Sequence, residues 1–150
     1  MTSSKKLIPL LLLCIWITLM FFLSSQNGEQ TASTSSGIAD WIAMLFYKAP
    51  TQPQVNHIHM LLRKSAHIIL FFGVGAISFY TFLILCKKRP ILTMLASLIL
   101  TVLVAFFDEW YKIYIPGRHC DMGEALLNAI SGLIAIGFYI LLHRFRRRKE

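Results

Sequence analysis

A chain of this size with long unbroken apolar runs has few ways to fold outside a membrane. Residues 7–23 and 91–107 are two such runs, each 17 residues long, about the minimum that spans a hydrocarbon core roughly 30 Å thick. A helical pattern with no break covers residues 55–86, and another covers 124–142. Lipid offers backbone polar groups no partner, so segments of this kind must satisfy their hydrogen bonds internally, as helices do. The expected fold is all-α. It is an integral membrane bundle of four transmembrane helices, about 7–23, 55–86, 91–115 and 124–142, making one domain over residues 1–150. The 56% hydrophobic content excludes an ordinary soluble domain.

The charge pattern sets an expected orientation. Lys5, Lys6, Lys87, Lys88, Arg89, Arg144, Arg146, Arg147, Arg148 and Lys149 face only Glu150 in the segments flanking the runs on one side. On the other side Lys48, Arg63, Lys64, Lys112 and Arg118 are matched by Glu29, Asp40, Asp108, Glu109, Asp121 and Glu124. Basic residues mark the cytoplasmic ends of spanning helices, so both termini are expected in the cytoplasm of a multi-pass protein of the cytoplasmic membrane. The basic tracts adjoin apolar runs, which suits lipid headgroups as partners and argues against nucleic acid. Cys14, Cys86 and Cys120 fall in different zones and imply no disulfide framework. Residues 7–23 lack the small-residue cleavage pattern of a signal peptide and read as an uncleaved first helix.

Between the first two spans, residues 24–37 are polar and are expected to leave the membrane as a loop. Ile38, Trp41, Ile42, Leu45 and Phe46 then recur at helical spacing, capped by Ser35 or Ser36 and ended by Pro50 and Pro53. This extracytoplasmic amphipathic segment suits either a helix lying in the outer interface or a lid packed on the bundle.

The chemistry concentrates in residues 106–132, FFDEWYKIYIPGRHCDMGEALLNAISG, where apolar chain meets tandem carboxylates, an aromatic cluster, a Pro-Gly break and an arginine. Ser97, Thr101, Val104 and Asp108 share one helical stripe, and Glu124, Asn128 and Ser131 share another. On the second span Asn56, Met60, Arg63 and His67 share a face. Four spans bring these ends to one depth, so Arg63, Lys64 and His67 are expected to meet Asp108, Glu109, Arg118, Glu124 and Asn128. Charges at this depth are costly unless paired or hydrated. One outcome is a salt-bridge knot that sets helix register. The other is a water-facing polar pocket in which His67 works with Asp108 or Glu109 as a proton-transfer pair and an arginine grips a phosphate or carboxylate. No nucleophile motif supports covalent catalysis, and no cofactor is implied. His57, His59, His67, His119, Cys120 and Asp121 include zinc-ligand types. His57 and His59, however, point in nearly opposite directions on a helix, and no metal site is expected.

Three separated stretches together resemble the VanZ-like family of small bacterial membrane proteins. They are FLSSQNGEQTASTSS at 22–36, RKSAH at 63–67 with Gly75 beyond it, and the DE of 108–109 followed by PGR at 116–118, Glu124 and Asn128. The family often has glutamine at the position of Lys112, aspartate at that of Glu124 and glycine at that of Ser131. The resemblance implies a cell-envelope protein, with motif positions at Arg63, Lys64, His67, Asp108, Glu109, Gly117, Arg118, Glu124 and Asn128. It further implies a link to low-level tolerance of teicoplanin-type glycopeptides, with no established reaction. The expected partners are the lipid bilayer and either an envelope lipid precursor, a glycopeptide or another membrane protein. The alternative is a membrane-embedded acid/base enzyme acting on an envelope lipid or glycan precursor.

Overall fold

The computed structural model describes residues 4–25, 28–47, 49–86 and 89–147. Five α-helices account for most of them: α1 (Ser4–Ser24), α2 (Gly28–Phe46), α3 (Gln52–Leu85), α4 (Pro90–Tyr111) and α5 (Met122–Arg147), with a 3₁₀ turn at Lys112–Tyr114 after α4. Four stretches are long and apolar enough to cross a membrane: Lys6–Ser24, Gln52–Leu85, Pro90–Tyr114 and Met122–Leu142. Large apolar side chains cover their outside, among them Ile8, Ile69, Ile91, Leu103 and Ile134, so the solvent they are built for is lipid. The chain is a multi-pass membrane protein.

The spans pack through small and hydroxylated residues as well as through an apolar centre. α3 is the central strut, touching α1, α2, α4 and α5. Its Gly75 lies against Gly132 of α5, and a Cβ at Gly75 would collide with the Gly132 carbonyl. Close approach of this kind replaces the hydrophobic drive that lipid removes. Met20, Phe71, Val74, Val104, Ala105 and Ala129 form the apolar centre. On α4, Thr93, Ser97 and Thr101 are all buried, and each donates its hydroxyl hydrogen to the carbonyl four residues back, at 2.9, 2.7 and 2.8 Å. That local bond lets a hydroxyl sit in an apolar interior with its donor satisfied. Longer links tie the spans, among them Trp16 Nε1 donating to the Leu70 carbonyl at 3.0 Å, Thr81 Oγ1 to the Pro9 carbonyl at 3.1 Å and Ser131 Oγ to the Ile68 carbonyl at 2.6 Å.

Among the boundaries that differ from the sequence reading, such as α5 running on to Arg147, three have a local physical reason. α2 begins at Gly28, so most of the stretch expected as a loop is helical and Ser35 and Ser36 lie inside the helix rather than at its cap. Ala39 and Ala43 anchor the helix on Val55 and Ile58 of α3, and once a turn is nucleated each added residue brings a bond, so helix extends back through residues of weak propensity. α3 begins at Gln52, with Pro53 in its first turn. A proline there sacrifices no bond, because the first N–H groups of a helix have no intrahelical acceptor. The Gln54 side chain accepts the Thr51 backbone N–H at 2.9 Å and reinforces this start. Finally, α4 stops at Tyr111 and tightens into the 3₁₀ turn, which alters the direction in which Lys112 projects. Lys87, Lys88 and the tail from residue 148 lie outside the described residues.

Candidate functional site

At one end of the bundle the chain turns from α4 to α5 through Ile115-Pro116-Gly117-Arg118. The Arg118 N–H donates to the Ile115 carbonyl at 3.1 Å, and Gly117 takes φ +75°. Proline at the second position and a positive-φ glycine at the third make this a type II turn. α5 then starts under an aspartate cap: Asp121 Oδ1 accepts the N–H groups of Gly123 at 2.8 Å and Glu124 at 3.4 Å. Through this turn and cap, Arg118 and Glu124 arrive beside the end of α4.

The centre of the resulting cluster is Lys112, which has no exposed surface. Its Nζ is paired with Glu109 through a direct hydrogen bond, and stands 3.3 Å from Glu124 Oε2 and 3.6 Å from Asp108 Oδ2. Asp108 and Glu109 are also buried. A cation enclosed at this depth persists only because carboxylates surround it, since removing a charge from water costs several kcal/mol that pairing must offset. Glu109 turns its second oxygen toward the Asp121 N–H, at 3.3 Å, and so connects the end of α4 to the cap of α5. From α3, Arg63 Nη2 reaches Glu124 Oε2 at 3.6 Å and His67 Nδ1 lies 4.0 Å from Asp108 Oδ2. His67 stacks on Phe71, with ring centroids 6.4 Å apart. Burial, more than any neighbouring charge, pulls the Arg118 guanidinium below its ordinary range; Arg63 acts in the same direction, while Glu124, Asp108 and Glu109 oppose it.

Several buried polar atoms here have no hydrogen-bond partner among the described residues: both oxygens of Asp108, His67 Nδ1, Arg63 Nε, and both the oxygen and the nitrogen of the Asn128 carboxamide. Asn128 is only 1% exposed and lies one turn below Glu124 on α5. Buried polar groups are nearly always satisfied, so a set left open at one place marks either bound water or a ligand contact.

Of the residues expected to converge, the geometry brings Arg63, His67, Asp108, Glu109 and Glu124 into one network of ion pairs. Arg118 feels the charges of that network, and Asn128 lies directly beneath it. Lys64 is exposed and forms no ion pair among the described residues, because it projects about 100° around α3 from Arg63. Two residues outside the expected set belong to the site. Lys112 is its hub and Asp121 its tether to α5. The first was recognisable in principle, since Lys112 falls three and four residues after Glu109 and Asp108 on one helical face. The second had the mark of a helix cap three residues before Glu124. Among the described residues, no group of three His, Cys, Asp or Glu side chains is arranged to hold a metal ion.

A family model described as VanZ/LLP1 matches residues 9–143. No curated protein and no solved structure matches the chain.

Proposed function

The chain belongs to the VanZ/LLP1 family, and from that premise we propose that it acts in the bacterial cell envelope, where the Lys112 cluster forms a polar ligand pocket at the outer face of the cytoplasmic membrane. In this reading both termini lie in the cytoplasm, as the basic tracts favour. The ligand is an envelope lipid precursor or a glycopeptide, and binding underlies tolerance of teicoplanin-like antibiotics.

The observation that carries the pocket is the incomplete satisfaction of the cluster. A knot serving helix register alone gains most when every member is bonded. Here the Asn128 carboxamide and the Asp108 carboxylate are buried with open hydrogen-bonding positions, while the ion pairs of Lys112 hold the surrounding frame. Arg63, Lys112 and Arg118 balance Asp108, Glu109 and Glu124 in charge, so the open positions favour a neutral hydrogen-bonding group on the ligand.

His67→Ala, Glu109→Gln, Arg118→Ala and Asn128→Leu test this reading, each compared for membrane abundance and for sensitivity to envelope antibiotics. Loss of the phenotype at normal abundance supports the pocket; a parallel loss of abundance makes the cluster structural. Cysteine labelling in intact cells tests the orientation, because reagent reaching Arg147→Cys but not Ser33→Cys reverses it.

A second reading, acid/base chemistry on an envelope lipid or glycan precursor, draws on His67 facing Asp108 at 4.0 Å. Asp108 rather than Glu109 would then be the partner of His67, since Glu109 is engaged by Lys112 and the Asp121 N–H. Product formation by the purified protein, abolished in Asp108→Asn, separates this from binding alone.

A further inference from the structure

A groove of about 360 Å³ runs beside the contact between α2 and α3. Ile42 and Phe46 of α2 and Ile58, Leu61 and Leu62 of α3 form its walls, Ser65 lies at one end, and Tyr47 and His57 supply hydrogen-bonding groups toward the start of α3. Among the described residues, its lining holds no lysine, arginine, aspartate or glutamate. At about 100° per residue, Ile58, Leu61, Leu62 and Ser65 fall on the side of α3 opposite Arg63 and His67, so the groove is independent of the charge cluster and of the function proposed for it.

What it opens onto identifies its occupant. The same side of α3 continues at three- and four-residue spacing through Ile68, Ile69 and Phe72, which are 38%, 67% and 40% exposed within a span long and apolar enough to cross a membrane. Those three residues face lipid. The groove is therefore the prolongation of a lipid-covered surface, roofed by a helix that turns small Ala39 and Ala43 toward α3 and leaves Trp41, Met44 and Leu45 63–65% exposed. Large apolar groups directed outward at this level suit acyl chains and interfacial lipid.

We propose that the α2–α3 groove seats an acyl chain of a membrane phospholipid, drawn up along Phe72, Ile69 and Leu61 into the cleft beneath α2, with the headgroup beside Tyr47 and His57. Ile58 stands about 13 Å beyond His67 along the helix axis, so a seated chain is lifted above the depth of the charge cluster. The seating is expected to rest on apolar contact rather than on attraction to anionic lipid: the described lining holds no lysine or arginine, and only Lys48, Arg63 and Lys64 neighbour it in sequence. α2 contains Glu29 and Asp40 and no lysine or arginine, and polybasic residues are what such attraction requires.

The test uses the full chain with Trp16, Trp41 and Trp110 replaced by phenylalanine and Phe46→Trp as the sole reporter, reconstituted into phosphatidylcholine vesicles whose chains carry bromine at mid-length. The reporter is expected to lose most of its emission to the brominated chains, equally in vesicles with and without phosphatidylserine, and to regain it when Ser65→Phe fills the groove. Emission quenched by aqueous acrylamide but not by brominated lipid overturns the proposal, because the groove then holds water. Protection from acrylamide that disappears as protein is diluted in lipid also overturns it, in favour of a second copy of the chain. Should the tryptophan replacements fail to fold, native mass spectrometry of the unmodified protein supplies the second measurement. Retained phospholipid that Ser65→Phe removes supports the seat, and equal retention in both proteins overturns it.

Discussion

The ammonium of Lys112 stands 3.3 Å from the carboxylate of Glu124, joining the end of α4 to the first turn of α5 at a point where the lysine has no contact with solvent. The same ammonium holds Glu109 and faces Asp108. One cation thus keeps three carboxylates together.

Removing it leaves those carboxylates facing one another. Lys112→Met is expected to destabilise the folded protein by about 3–5 kcal/mol, the usual effect of stripping one partner from a buried ion pair. Thermal unfolding in detergent and abundance in membranes measure this. Adding Glu109→Gln to Lys112→Met should recover part of the loss, because it takes away one of the uncompensated charges. A double variant no more stable than the single one would show that Glu109 draws its support mainly from the Asp121 N–H rather than from Lys112.

The contact between α3 and α5 leaves no room for a side chain at Gly75. Gly75→Ala is expected to lower stability by about 1–3 kcal/mol through overpacking, since the obstacle is the Gly132 backbone rather than a mobile side chain. Gly137→Ala is the control. Among the described residues a Cβ there meets nothing within 4 Å, and alanine favours helix by up to about 1 kcal/mol. Opposite signs for the two substitutions in the same melting assay are the expected outcome.

Gly117 holds the turn that delivers Arg118. Its φ of +75° makes Gly117→Ala unfavourable by about 1–2 kcal/mol, the ordinary cost of left-handed backbone for an L-residue. Gly117→Asn should be tolerated better, because asparagine adopts this region more readily. If both fold equally well, the turn relaxes without penalty and places no constraint on Arg118.

Asn128 separates stability from function. Leucine is near it in size and carries no polar atoms, so Asn128→Leu is expected to leave the melting temperature unchanged or higher, as when an unpaired buried polar group is removed. The antibiotic phenotype should nonetheless be lost if the carboxamide contacts a ligand. A variant that melts lower instead would mean that Asn128 makes structural bonds through ordered water.

Local properties of the chain were sufficient to place the four spans and the polar stripes. Hydropathy and helical spacing depend only on nearby residues, and they already put Ser97, Thr101, Val104 and Asp108 on one line and Glu124, Asn128 and Ser131 on another. The type II turn at Pro116-Gly117 was equally visible as a break, because proline and glycine restrict the backbone wherever they occur. What had to wait for packing was the rotation of each helix about its own axis and the choice between adjacent residues. Neighbours on a helix point about 100° apart, so Arg63 enters the network while Lys64 stays exposed, and Asp108 faces His67 while Glu109 turns to Lys112 and the α5 cap. The burial of Lys112 was hidden for the same reason. A lysine beside an aromatic belt ordinarily reaches for water, and only the arrival of Glu124 from α5, together with the tightened end of α4, makes an enclosed position favourable.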